Sequence, residues 1–122
     1  MASVESGKDF THIARISDLQ NGLMKEFTVQ NRIILLAQVH DHYYAVDGLC
    51  PHLGERLAKG TLDGTVITCP RNESKFDLVD GRVIRWTDWT GIRASVSKLF
   101  RPPRPLATYL VKIERDNILV QI

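Results

Sequence analysis

Two Cys-Pro dipeptides, Cys50-Pro51 and Cys69-Pro70, stand nineteen residues apart, and the residues around them leave few ways for the chain to fold. Gly48, Gly54, Gly60, Gly64 and Gly81, with the two prolines, divide residues 48–82 into two loops around one good strand, Thr65-Val66-Ile67-Thr68. Each cysteine therefore falls where a strand hands over to a loop, which is where binding side chains are usually carried. The first loop reads Cys50-x-His52 and adds an imidazole to the thiol. The second reads Cys69-Pro70-Arg71-Asn72-Glu73-Ser74, so a carboxamide and a carboxylate follow the thiol.

Cysteine thiolate is a soft ligand suited to iron–sulfur clusters and zinc, and neutral imidazole suits borderline metals. Mixed ligation from Cys50, His52 and Cys69, with sixteen residues between His52 and the second cysteine, narrows the candidates to zinc or a histidine-containing cluster. Taken alone, the two cysteines also fit a pair of small buried apolar residues. His12, His40 and His42 lie outside the motif and read as exposed strand or strand-end histidines.

The remainder reads as an all-β chain. Phe10–Arg15, Met24–Val29, Arg32–His40 and His42–Val46 are expected as strands in a meander, with a turn over Ser17–Gly22. The β-branched and apolar run Ile33-Ile34-Leu35-Leu36-Ala37 suits a strand buried on both faces. Thr108–Glu114 and Asn117–Ile122 are expected to close the chain as a hairpin turning at Arg115-Asp116-Asn117. Ile92, Val96, Leu99 and Phe100 recur at helical spacing ahead of Pro102-Pro103, which predicts one short helix over about 90–101. Trp86 and Trp89 are read as covering the loops.

At 122 residues the chain has the length of one domain able to bury a core without disulfides. The residues MASVESGKDFTH show neither the basic start nor the apolar run of a secretory signal, and no stretch is long enough to span a bilayer, so a cytoplasmic protein is expected. A net charge of +2 gives no reason to expect nucleic-acid binding. Six of the sixteen basic residues nevertheless lie between Arg82 and Arg104, against the single acid Asp88. That stretch suits an acidic partner, an anionic membrane surface, or simply a solvated face.

Over almost the whole chain the sequence resembles the Rieske ferredoxin family, whose pattern is Cys-x-His, roughly sixteen or seventeen residues, then Cys-x-x-His. The resemblance is carried by Tyr44-Ala-Val-Asp-Gly-Leu-Cys-Pro-His-Leu-Gly54, by Leu57-Ala-Lys-Gly-Thr-Leu-Asp-Gly-Thr-Val-Ile-Thr-Cys-Pro70, by Phe76-Asp77 with Gly81, and by Pro102-Pro-Arg-Pro105 ahead of Tyr109-Leu-Val111. It implies one domain over residues 1–122, a small antiparallel β-barrel or sandwich. Within it, residues 48–82 would form a two-loop subdomain that binds a 2Fe–2S cluster, and 101–105 a proline loop that shields it.

Carried over by position, Cys50 and Cys69 hold the inner iron and His52 the outer one. Asn72 falls where the second histidine belongs, and Glu73 replaces the small glycine that follows it. Ser74 occupies the place of a hydroxyl that hydrogen-bonds a cluster sulfur, whereas Phe76 lacks the phenolic hydroxyl some members add. The resemblance implies an electron carrier with no catalytic residues of its own, serving a redox partner protein such as a reductase or oxygenase. Two alternatives stay open. One is a cluster-free structural or regulatory subunit similar to the small subunit of assimilatory nitrite reductases; the other is a zinc-binding domain using Cys50, His52, Cys69 and Glu73.

Overall fold

The computed structural model describes residues 10–20, 22–51, 54–70, 74–85 and 104–122. Its strands are β1 (Phe10–Arg15), β2 (Met24–Val29), β3 (Arg32–Val39), β4 (His42–Asp47), β5 (Thr61–Asp63), β6 (Val66–Thr68), β7 (Lys75–Asp77), β8 (Val83–Arg85), β9 (Thr108–Tyr109), β10 (Val111–Glu114) and β11 (Asn117–Gln121). They form three antiparallel sheets, ordered β1-β11-β10, β2-β3-β4-β9 and β5-β6-β7-β8. Short 3-10 turns cover Ile16–Asp18 and Leu57–Lys59. The all-β expectation holds. The helix expected over 90–101, Trp86 and Trp89 lie outside the described residues.

The continuous apolar run of β3 has a direct structural cause. Ile34 and Leu36 point into one core with Ala14, Ala45, Ile118 and Val120, beneath the β1-β11-β10 sheet. Leu35 and Ala37 point the other way, into a second core with Val46, Leu57, Ile67, Phe76 and both cysteines. Because side chains alternate along a strand, a strand between two cores must be apolar at every position. The sheet holding β3 is thus a middle layer, and the cysteine subdomain packs on one of its faces.

Two details depart from the sequence reading. Residues 108–114 do not form one strand: Tyr109 pairs with Ala45 of β4, Val111 pairs with Val120 of β11, and the chain changes sheets at Leu110. Such a corner lets one segment link two sheets whose strands run in different directions. Residues 48–82 hold three short strands instead of one, because β5 and β7 flank β6, and β8 just beyond them pairs with β7. Each has three residues, too few for alternation to show in the sequence.

Candidate cluster site

The first loop begins where β4 ends at Asp47. The Gly48 amide donates to the Ile33 carbonyl at 2.8 Å and the Leu57 amide to the Gly48 carbonyl at 3.0 Å, so both ends of the loop are tied to the middle sheet. Within it Leu49 bridges Arg56, the Cys50 amide donates to the Glu55 carbonyl at 2.8 Å, and the Gly54 amide donates to the Cys50 carbonyl at 2.7 Å. Gly54 has φ +73°, a conformation that glycine adopts without steric cost. The Arg56 guanidinium adds a 2.8 Å ion pair to Glu26 on β2.

The second loop leaves β6 and returns as β7. Thr68 pairs with Lys75, and the Cys69 amide donates to the Ser74 carbonyl at 2.7 Å. The two loops therefore share one design, in which a cysteine at the loop base is hydrogen-bonded to the residue five positions later. Pro51 and Pro70 follow, so the next position of each loop has no amide to compete.

Neither Cys50 nor Cys69 is in a disulfide, both are fully buried, and they belong to one apolar cluster. Phe76, Leu57, Leu78 and Leu106 complete its wall. Leu106 comes from the far side of the chain: its amide donates to the Gly81 carbonyl at 2.8 Å, and the next carbonyl, of Ala107, accepts from the Asp47 amide at 2.9 Å. The two residues that follow the expected proline loop are therefore tied to both ends of residues 47–81. Ser74 is completely buried beside Cys69.

Asp47, which sequence reading quoted within a motif but did not single out, organises the first loop. Burial raises its carboxyl above the usual carboxylate range, opposed by hydrogen bonds from the Leu49 and Gly48 amides and by the charge of Arg32. An Asp-Gly pair at the end of a strand is the local signal of such a turn. Leu106 had no comparable signal.

His52, Asn72 and Glu73 lie outside the described residues. Among the described residues no three potential metal-binding side chains come together, so Cys50, Cys69 and Ser74 are the part of the predicted site that the structure brings together. His12 is bound to Asn117 at 3.0 Å on the exposed face of β1, and His42 lies 6.3 Å from the Tyr44 ring. His40 occupies the β3–β4 turn itself, at φ 57°. The cysteine pair fits an iron–sulfur cluster on its donor chemistry: two soft ligands, not in a disulfide, at the bases of two matched loops and walled from water by apolar side chains.

Comparison with known proteins agrees. Residues 9–96 match the Rieske [2Fe-2S] domain, and the chain belongs to that family. It is 29% identical over 107 residues to the ferredoxin component of the naphthalene 1,2-dioxygenase system of Pseudomonas putida, covering 88% of this chain and 89% of that one. Its fold is similar to the ferredoxin of carbazole 1,9a-dioxygenase from Nocardioides aromaticivorans IC177, with a TM-score of 0.73 at 23% identity over 92% of this chain and 96% of the other. It is also similar to a putative nitrite reductase small subunit, with a TM-score of 0.70 at 14% identity, covering 93% and 99%. No helix among the described residues is long and apolar enough to cross a membrane.

Proposed function

We propose that this chain is a one-electron carrier of the Rieske ferredoxin type, a single domain over 1–122 whose residues 48–82 hold a 2Fe–2S cluster. The observation that carries this reading is the pair of buried cysteines outside any disulfide, Cys50 and Cys69, set in one apolar cluster at the bases of two loops closed in the same way. Cys50 and Cys69 would hold the inner iron and His52 the outer one. Asn72 or Glu73 supplies the remaining protein ligand. When bound, the cluster supplies reversible uptake and release of a single electron.

The chain's own groups set the conditions for that chemistry. The loop closures hold the two thiolates at a fixed separation, so that little rearrangement accompanies a change of charge. The wall of Leu57, Phe76, Leu78 and Leu106 excludes water from the cysteine side, and the hydroxyl of Ser74 would donate to a cluster sulfur. The carboxamide of Asn72 carries no titrating proton near neutral pH, so a potential set by this site has one pH-linked group, His52, instead of two. The partner is a reductase or oxygenase, in keeping with the oxygenase-system ferredoxin to which the chain is similar.

A second reading rests on one observation, the carboxamide and carboxylate at residues 72 and 73 in place of the family's histidine and glycine. In it the chain is a cluster-free or zinc-binding accessory subunit. Iron, acid-labile sulfide and zinc content of anaerobically purified protein, with its visible and paramagnetic-resonance spectra, separates the readings. Two irons and two sulfides per chain are expected for the carrier. One zinc without sulfide, or a folded metal-free chain that resists reconstitution, overturns it.

A further inference from the structure

The sheet that carries Cys69 has two unlike faces. On the inner one, Leu62, Ile67, Phe76 and Val83 stand opposite one another in register and pack into the cysteine core. One residue along, Thr61 pairs with Thr68 and Thr68 with Lys75, and alternation turns this row outward. Three strands at their normal spacing make the row about 10 Å long. Lys59, at the end of the 3-10 turn, joins Thr61, Thr68 and Lys75 in lining an open groove of about 480 Å³ whose wall includes Cys69.

The groove is lined by two lysines, Lys59 and Lys75, and by no carboxylate among the described residues, whereas Asp63 and Asp77 lie farther along the same face. Elsewhere Arg56 is paired with Glu26, and Arg82 with Asp77 and Asp80. Lys75 instead donates to the Thr68 hydroxyl at 3.4 Å, and among the described residues neither Lys59 nor Lys75 has a carboxylate at ion-pair distance. Two ammonium groups with two hydroxyls between them suit carboxylates arriving from outside, and a groove beside low-dielectric walls concentrates their field.

We propose that this outer face of β5–β8 is a docking surface for a protein partner bearing a cluster of Asp or Glu side chains, whose carboxylates enter the Lys59–Lys75 groove and set the partner against the second loop. This rests on the electron-carrier reading above and adds the partner's chemistry and its place of contact. One electron passes between the docked proteins, and the groove itself exchanges neither protons nor atoms.

The test begins with binding, which needs no turnover. Hexaglutamate titrated into 15N-labelled protein at low ionic strength is expected to shift the amides of Thr61, Thr68 and Lys75, and the shifts should vanish in K59Q/K75Q and persist in K59R/K75R. Stopped-flow oxidation of the reduced protein then follows one electron passing to hexacyanoferrate(III), giving hexacyanoferrate(II). The rate should fall about tenfold in K59Q/K75Q at low ionic strength, while the rate with the cationic oxidant tris(phenanthroline)cobalt(III) does not fall. Shifts confined to residues 93–104, no shifts, or equal rates for wild type and K59Q/K75Q would overturn the docking surface even in a fully cluster-loaded protein. Protein that folds and binds hexaglutamate but takes up no cluster would instead remove the electron-carrier reading, and with it the assignment of this face to a redox partner.

Discussion

The backbone amide of Cys69 donates a 2.7 Å hydrogen bond to the carbonyl of Ser74, and the same relationship joins Cys50 to Glu55 at 2.8 Å. Each cysteine is thereby held in place by main-chain hydrogen bonding that does not use its sulfur. The closure at Ser74 uses only its carbonyl, so its hydroxyl can be removed separately. Ser74→Ala should leave iron and sulfide content unchanged and lower the reduction potential by on the order of 40 mV, the equivalent of losing about 1 kcal/mol of hydrogen bonding to the reduced, more negative state. Protein-film voltammetry checks this. An unchanged potential would assign the hydroxyl to the protein fabric.

Residues 72 and 73 can be tested by restoring the family's pattern. Asn72→His should strengthen the Rieske-type spectrum after reconstitution and add a second proton-linked step to the dependence of potential on pH. Glu73→Gly should sharply lower metal content at neutral pH if its carboxylate is a ligand. Unaltered stoichiometry would leave Asn72 as the ligand.

Asp47 makes stability depend on pH with a definite sign. Its folded-state value is raised, so the stability it contributes is fully present below the ordinary carboxylate pKa and is lost as pH rises through the folded value. Asp47→Asn keeps an acceptor for the Gly48 and Leu49 amides but cannot ionise. In metal-free protein its stability relative to wild type should therefore increase between about pH 4 and pH 7. Asp47→Ala removes the acceptor and should cost about 1 kcal/mol across that range. Urea titrations at several pH values distinguish the two, and parallel wild-type and Asp47→Asn profiles would defeat the argument.

Gly81 combines φ +78° with a backbone so close to Leu106 that an added Cβ would collide with the Leu106 carbonyl. Gly81→Ala should destabilise the fold by at least about 2 kcal/mol and loosen Leu106 from the cysteine core. Faster cluster loss in air than in wild type is the corresponding readout. A neutral substitution would show that the 104–107 segment is not needed as a wall.

The β2–β3 hairpin turns through Gln30 and Asn31 at φ 51° and 66°, both in the left-handed region. Replacing them with Asn-Gly, which this turn geometry favours, should stabilise the protein by about 1 kcal/mol, visible as a rise of a few degrees in the thermal midpoint. Because the exchange leaves the hydrogen bond from Gly48 to Ile33 in place, the spectrum of bound cluster should not change.

Much of the fold is legible in local pattern. The turn-bounded strands from Phe10 to Asp47 and the closing hairpin at Arg115-Asp116 follow from alternation and turn residues, and the doubly buried β3 follows from its unbroken apolar run. The strands β5, β7 and β8 were not legible, since three residues carry no period and Lys75-Phe76-Asp77 contains two charged side chains. β5 and β7 exist because β6 offers partners on both edges, and β8 because β7 offers its outer edge, conditions that only the assembled sheet creates.

The candidate site divides along the same line. Residue identity and spacing determined which donors are present, because ligand chemistry belongs to side chains and needs no neighbours to be read. Tertiary structure alone decided that Leu106 walls the cysteines and that Lys59, Thr61, Thr68 and Lys75 line one groove. Such groupings arise from strand register and chain crossing, where residues far apart in sequence become neighbours by burying a common core.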